Sequence, residues 1–278
     1  MSNRKNTKRG NVDKTLNLSS KKLKIVIDLD EEAESSTPYD TGITSIADQI
    51  LSLQNNLCNH LQSITFRSPI EYVYNPLEYA SNVHAIYVQK YCNDFKKILF
   101  LGINPGPWGM SQTGVPFGEI NAVKNWLKIS GLVGKPAKEH PNRKITGFEC
   151  TRSEISGKRF WGLFEDLCKY PQKFFQHAYM HNYCPLALMD GRARNITPAE
   201  LKGEAQKTLH SFCDQALINI IQLLKCEIVI GIGKYAEKRA EVVFSIPHPS
   251  PRAVNNENWN EKAVRKLDEL GLLNLFKE

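Results

Sequence analysis

The sequence predicts an α/β protein, a three-layer sandwich with a central, mostly parallel four-stranded sheet flanked by helices. Short apolar runs (KKILFLGIN, QHAYMHNYCPL, EIVIGIG and VVFSIP) alternate with longer segments of helical period. Such alternation implies right-handed crossovers above and below one sheet. The first run has four consecutive apolar residues between lysines and a glycine, the signature of a strand covered on both faces. A length of 278 residues suits one globular domain with an appendage.

Along the chain, residues 1–45 lack amphipathic period and are predicted to be disordered, whereas 46–278 read as a single domain. Ile46, Ile50, Leu53, Leu57 and Leu61 recur at helical spacing behind a cap at Thr44 or Ser45. YVYNPLEYASNVHAIYVQKYC predicts a proline-broken turn and then a helix. The strand KKILFLGIN follows, then helices in GEINAVKNWLKIS and FWGLFEDLC, and a second strand ending near Asn182. ITPAEL predicts a third helix start, with Thr197 as N-cap, Pro198 in the first turn and Glu200 closing a capping box. That helix runs to about Lys225. A third strand (EIVIGIG), a short helix (KYAEKRA), a fourth strand entering the PHPSPR loop, and a closing helix in ENWNEKAVRKLDELGLL complete the domain.

Composition excludes several classes. No apolar run reaches the ~18 residues of a membrane span, and the basic N-terminus lacks the apolar core of a secretory signal. Seven scattered cysteines, none in a C-x-x-C pair, predict free thiols in a reducing compartment. The net charge of +7 is uneven: residues 1–24 carry +7, residues 25–40 carry −6, and the remainder about +6. That balance permits a polyanionic partner without requiring one. Within the tail, KLKIVIDLDEEAESS is either a sticky linker patch or an extended peptide that adds a strand to a partner's sheet. Ile25, Val26 and Ile27 with the acids behind them resemble a SUMO-interacting motif.

In parallel sheets, ligands bind beyond the carboxyl ends of the strands. That rule collects GINPGPWG, HNYCP, GIGK and HPSPR on one rim. Neither a P-loop nor a full dinucleotide fingerprint is present. Close strand–helix packing accounts for Gly231 and Gly233 as well as a cofactor would, and no cofactor is expected. No metal is expected either: the closest histidine pair, His177 and His181, falls in a predicted strand, too far apart to chelate. What remains is Asn104, Asn182 and His248 around a Gly/Pro loop. Asn104 serves either to close its own turn or to act on a ligand. Phe117, between Pro116 and Gly118, is either core or a stacking platform for a planar ligand. His248 sits between prolines that hold its backbone extended.

GINPGPWGMSQTGVPFGE, HNYCPL, RNITPAEL and HPSPR, in that order, resemble the single-strand-selective monofunctional branch of the uracil-DNA glycosylase superfamily, from about residue 74 to 273. The resemblance implies that family's fold and a monofunctional glycosylase acting on uracil and 5-modified uracils in single- and double-stranded DNA. It assigns Asn104 to the attacking water, His248 to uracil O2, Asn182 to N3–H and O4, and Phe117 to stacking. The Ile103 backbone and the stretch from Gly106 to Met110 would line the pocket around the 5-position. Ser250, Pro251 and Arg252 match the wedge that fills the gap left by a flipped base. Arg192, Arg194 and Lys202, with Asn195 and Thr197, are candidate phosphate contacts around a helix N-terminus. A monomer acting on nuclear DNA is implied. Only fourteen residues (234–247) join GIG to HPSP, so the helix between them is expected to be stunted. A mismatch-specific thymine/uracil glycosylase and a catalytically impaired DNA-binding relative remain open as alternatives.

Overall fold

The structure is a computed structural model that describes residues 44–240, 244–253 and 256–277. The SUMO-like segment at Ile25–Ile27 and nearly all of the tail lie outside the described residues.

Ser45 caps α1 (Ile46–Gln62) by accepting the Asp48 N–H at 3.1 Å, and Ile50, Leu57 and Leu61 form its buried stripe. A short strand β1 (Tyr72–Tyr74) leads to Asn75, which caps α2 (Pro76–Tyr79), and α3 (Ser81–Tyr91) follows. Strand β2 (Ile98–Gly102) is buried at all five positions and runs into α4 (Met110–Thr113). Helices α5 (Ile155–Cys168) and α6 (Pro171–His177) precede β3 (Ala178–Asn182), which is also wholly buried. Then come β4 (Ala187–Met189), β5 (Asn195–Ile196), the long α7 (Gly203–Leu224), β6 (Ile228–Ile232), α8 (Lys234–Arg239), β7 (Phe244–Ile246) and α9 (Trp259–Glu269).

The main sheet has the order β3-β2-β6-β7, and every pairing in it is parallel. Alternation along β2 divides the core. Phe100 packs edge-on against Phe160 and Phe164 of α5 and stacks on Phe174 of α6. Tyr179, in register with Leu99, stacks instead on Tyr87 of α3 at 5.3 Å. Helix α1 packs on α3 and α7, and α9 on α5. These are the layers the strand–helix alternation predicts. Helix α8 is six residues long, as the short 234–247 connection requires. No described helix is long and apolar enough to cross a membrane.

Four expectations are corrected. A second, antiparallel sheet β1-β4-β5 exists, built from strands of two or three residues that are too short for a period to show. The helix expected in GEINAVKNWLKIS shrinks to one π-type turn at Ala122–Trp126, ended by Lys128 at φ 52°. His177 is the last residue of α6 rather than part of β3, so the two histidines do not share a strand. Thr197 does not cap a helix. Its N–H and hydroxyl both donate to the Glu200 carboxylate, at 2.9 and 3.0 Å, but the motif closes only an isolated turn. Helix α7 begins only at Gly203, at φ 68°, and Lys202 takes the N-cap position.

Parallel register carries the site. Gly102 and Asn182 are direct partners at the ends of β2 and β3, and Ile232 pairs with Ile246 beside them. The segments that follow these strands therefore leave the sheet at the same edge.

Candidate active site

A cavity of about 610 Å³ opens at that edge. Ile103, Asn104, Gly106, Met110, Phe117, Asn182 and His248 all line it, as do Arg194, Asn195, Thr197, Ser250, Pro251 and Arg252. Arg192 does not line this cavity, and Lys202 faces a different one, between the segment 63–70 and the start of α7. The tertiary arrangement thus gathers every base-contact candidate but only part of the expected phosphate grip.

Asn104 follows Gly102 and Ile103, whose carbonyls accept the N–H groups of Tyr183 and Cys184 at 3.0 and 2.9 Å. That stitching extends the β2–β3 pairing past the sheet and fixes the loop. The Asn104 Nδ2 donates to the Leu186 carbonyl at 3.3 Å and makes a longer contact of 3.5 Å with Asn195 Oδ1. A carbonyl can only accept, so the amide orientation is determined and Oδ1 is the atom kept for another donor.

Asn182 is 4% exposed. Its Nδ2 reaches the Met110 sulfur, a weak acceptor, at 3.1 Å, and its buried Oδ1 has no partner among the described residues. Leaving such an oxygen without a donor costs on the order of 1–3 kcal/mol, so the amide is held ready for a ligand that can satisfy it. The absence of a Cβ at Gly102 makes room: a methyl there would run into Asn182 Oδ1 and stand 2.7 Å from the Phe117 ring. Phe117 adopts φ 52°, a conformation that costs a side-chain-bearing residue about 1–2 kcal/mol. Trp161 Nε1–H holds the Pro116 carbonyl at 3.3 Å, Thr113 holds the Gly118 carbonyl at 3.0 Å, and Phe160 backs the ring at 5.1 Å.

His248 stands 6.0 Å from Phe117, ring centroid to centroid. Its Nδ1 accepts the Ser250 N–H at 3.1 Å, so in the neutral ring the proton resides on Nε2. Burial lowers its pKa to about 4, which keeps the imidazole neutral at ordinary pH. The loop carrying it is pinned by Trp259 Nε1 on the Pro247 carbonyl at 2.7 Å, by Arg159 on the Pro249 carbonyl at 3.2 Å, and by Asn256 on the Ser250 carbonyl. Gly231 lies against the backbone of α8, which is close strand–helix packing, whereas Gly233 lies against the His248 side chain instead.

Glu154 is the principal wall residue that sequence reasoning missed. It is a lone carboxylate in SEISGK, with no pattern to mark it. It accepts the Trp108 N–H at 3.1 Å and the Ser156 hydroxyl at 3.2 Å. A Cβ on Gly106 would come within 2.5 Å of its Oε2. Burial pushes its pKa up, opposed by these hydrogen bonds and by Arg252 and Arg143. The carboxylate therefore clamps the backbone between Gly106 and Trp108 in place.

Comparison with known proteins decides the family. The profile of the uracil DNA glycosylase superfamily matches residues 89–269. The chain belongs to the uracil DNA glycosylase superfamily. Within that superfamily it is 46% identical over 243 residues to the mouse protein named single-strand selective monofunctional uracil DNA glycosylase, covering 84% of this chain and 87% of that one. The bovine protein of the same name matches equally, with 89% of its length covered. A crystal structure of SMUG2 from Pedobacter heparinus shares the uracil DNA glycosylase fold at TM-score 0.53 and 15% identity, covering 82% of this chain and 99% of that one.

Proposed function

We propose that this uracil-DNA glycosylase hydrolyses the N-glycosidic bond of uracil and of 5-modified uracils such as 5-hydroxymethyluracil, in single- and double-stranded nuclear DNA, and so begins base excision repair. One observation carries the reading: a buried asparagine amide with an unsatisfied oxygen faces a cavity that also contains a neutral histidine donor and a fixed aromatic ring. Uracil presents N3–H beside O4, the complement of an amide's oxygen and NH₂, whereas cytosine presents the reverse.

A base inside a duplex is out of reach, so the nucleotide flips out at a cost of a few kcal/mol. The extruded ring stacks on Phe117. Asn182 Oδ1 accepts from N3–H and Nδ2 donates to O4. As the C1′–N1 bond breaks, its electron pair moves onto the departing base and charge collects at O2. His248 Nε2–H donates to that oxygen in a water-poor pocket, where such a donor is worth most. Asn104 Oδ1 accepts a hydrogen from the water whose oxygen bonds C1′, and that water's surplus proton passes to solvent. An amide is a poor base, but an oxocarbenium-like sugar needs only a positioned, weakly activated nucleophile.

Release of free base from labelled oligonucleotides tests this. Excision of uracil and 5-hydroxymethyluracil from single strands and duplexes is expected. Excision from G·T mispairs without activity on 5-hydroxymethyluracil would instead identify a mismatch-specific thymine/uracil glycosylase. No release of any base would identify a DNA-binding relative without catalysis.

A further inference from the structure

Within the expected phosphate grip at 191–207, the cavity-lining Arg194 is neutralised. Arg194 donates to Asp190 at 3.2 Å and to Glu200 at 2.5 Å, so two carboxylates surround its one positive charge. The margin around Trp108 differs. Arg143 and Arg152 place their guanidinium carbons 5.0 and 4.6 Å from the centre of the Trp108 ring. Arg143 and Trp108 line the cavity together with Arg252. Among the described residues, none of these three arginines forms an ion pair. The nearby carboxylate, Glu154, is engaged by the Trp108 N–H and Ser156.

Three guanidiniums share one carboxylate, Glu154, so positive charge stays in excess at this margin. Burial first, then Arg152 and Arg252, lower the pKa of Arg143. Stacking on an indole returns only about 0.5–1 kcal/mol at an exposed site. Such a cluster is a pre-assembled receptor for an anion. Guanidinium groups suit phosphate oxygens because they present planar, paired donors. Trp108 also lies in the loop that forms the pocket wall, which ties the cationic margin to the position of the flipped base.

We propose that Trp108, Arg143 and Arg152, continuous with Arg252, form a phosphate-binding rim that holds the DNA strand beside the flipped nucleotide, in preference to the self-paired 190–200 side. The assignment rests on the DNA glycosylase reading of the cavity. Trp108 is a positioning residue here: its ring carries both guanidiniums at the margin of the cavity.

The test uses the full chain and two probes: a uracil-free single-stranded oligonucleotide for binding across a salt series, and the same oligonucleotide with one uracil for kinetics. Arg143→Gln and Arg152→Gln should each weaken binding roughly tenfold, the effect of losing one charged hydrogen bond. Each should flatten the slope of log K against log salt by about 0.7, the share of one single-strand phosphate contact. KM should rise while kcat at saturating DNA holds. Trp108→Ala should shift binding in the same direction, and Trp108→Phe, which keeps an aromatic face, should restore it. Arg152→Gln, at an exposed position, with an unchanged melting temperature keeps the result interpretable if a second variant misfolds. Unchanged affinity and salt slope in both arginine variants would overturn the rim. So would an equal shift in Lys124→Gln, which removes the same charge from an exposed site outside the cavity. Rim-dependent binding by a wild type that releases no uracil would overturn the glycosylase reading alone.

Discussion

The inner end of the cavity and its 190–200 margin handle polarity in opposite ways. Asn182 is uncharged, buried and left with an oxygen that nothing in the described chain satisfies. Arg194 is charged, exposed and held by two carboxylates. A polar group hidden from water without a partner is costly, and only a complementary ligand removes that cost. An exposed ion pair costs little and contributes little, because water and salt screen it. Incompleteness at the inner end is therefore informative about function, whereas the charge pattern of 190–200 is informative mainly about the local turn.

The largest effect that would break this contrast is His248→Leu. Removing an anion-stabilising donor from a water-poor site lowers the rate by about 10²–10³, with little change in DNA affinity. Single-turnover release of uracil measures it, and a loss below tenfold would mean that the inner end does not stabilise developing charge.

Acid stability separates the two regions in another way. Burial depresses the pKa values of His84 and His248 to about 4 and of His181 to about 3. Above about pH 6.5 these histidines are neutral in both folded and unfolded chains, so their contribution is complete. Below that value the unfolded chain binds protons that the folded chain refuses, so stability falls as pH drops from about 6.5 towards 4. The slope is on the order of 1 kcal/mol per pH unit for each histidine. Denaturant midpoints at pH 7 and 4.5 check the direction; a flat profile would show that these rings are accessible to protons.

Asn182→Ala should reduce kcat/KM for uracil by about 10- to 100-fold, the loss of one or two hydrogen bonds in a buried site. Gly102→Ala should act in the same direction by displacing Asn182 and Phe117, and its methyl would also press on Met180 Cε, 3.0 Å away. Comparing uracil release by the two variants sharpens the assignment, because the glycine contributes only space. The smallest effect belongs to Arg194→Gln. With Asp190 and Glu200 already opposing its charge, affinity for single-stranded DNA should change by less than about threefold, and a tenfold loss in a binding titration would return the phosphate grip to this margin.

Much of the architecture was legible in the chain. KKILFLGIN and EIVIGIG are strands because continuous apolar residues need cover on both faces, and Ser45 with Ile50, Leu57 and Leu61 makes a capped amphipathic helix wherever it is placed. The meeting of Asn104, Asn182 and His248 was also legible, since a parallel sheet delivers its strand ends to one edge. Local pattern misled at ITPAEL. There the Glu200 carboxylate took the Thr197 N–H, one half of a capping box, without a helix following, and Arg194 recruited the same carboxylate. Glu154 was illegible for a different reason. Its role depends on contact with Gly106 and Trp108, nearly fifty residues away, and no periodicity encodes that distance.

By itself, then, the sequence determined the layers, the parallel sheet and the residues at its carboxyl edge, because those follow from burial period and chain connectivity. Tertiary structure alone decided protonation, partners and free charge. His248 is neutral with its proton on Nε2 because burial and the Ser250 N–H act together. Arg194 is spent on carboxylates while Arg143 and Arg152 are stacked and unpaired. The physical reason is that solvation and pairing depend on what stands within a few ångströms, and that neighbourhood exists only after folding.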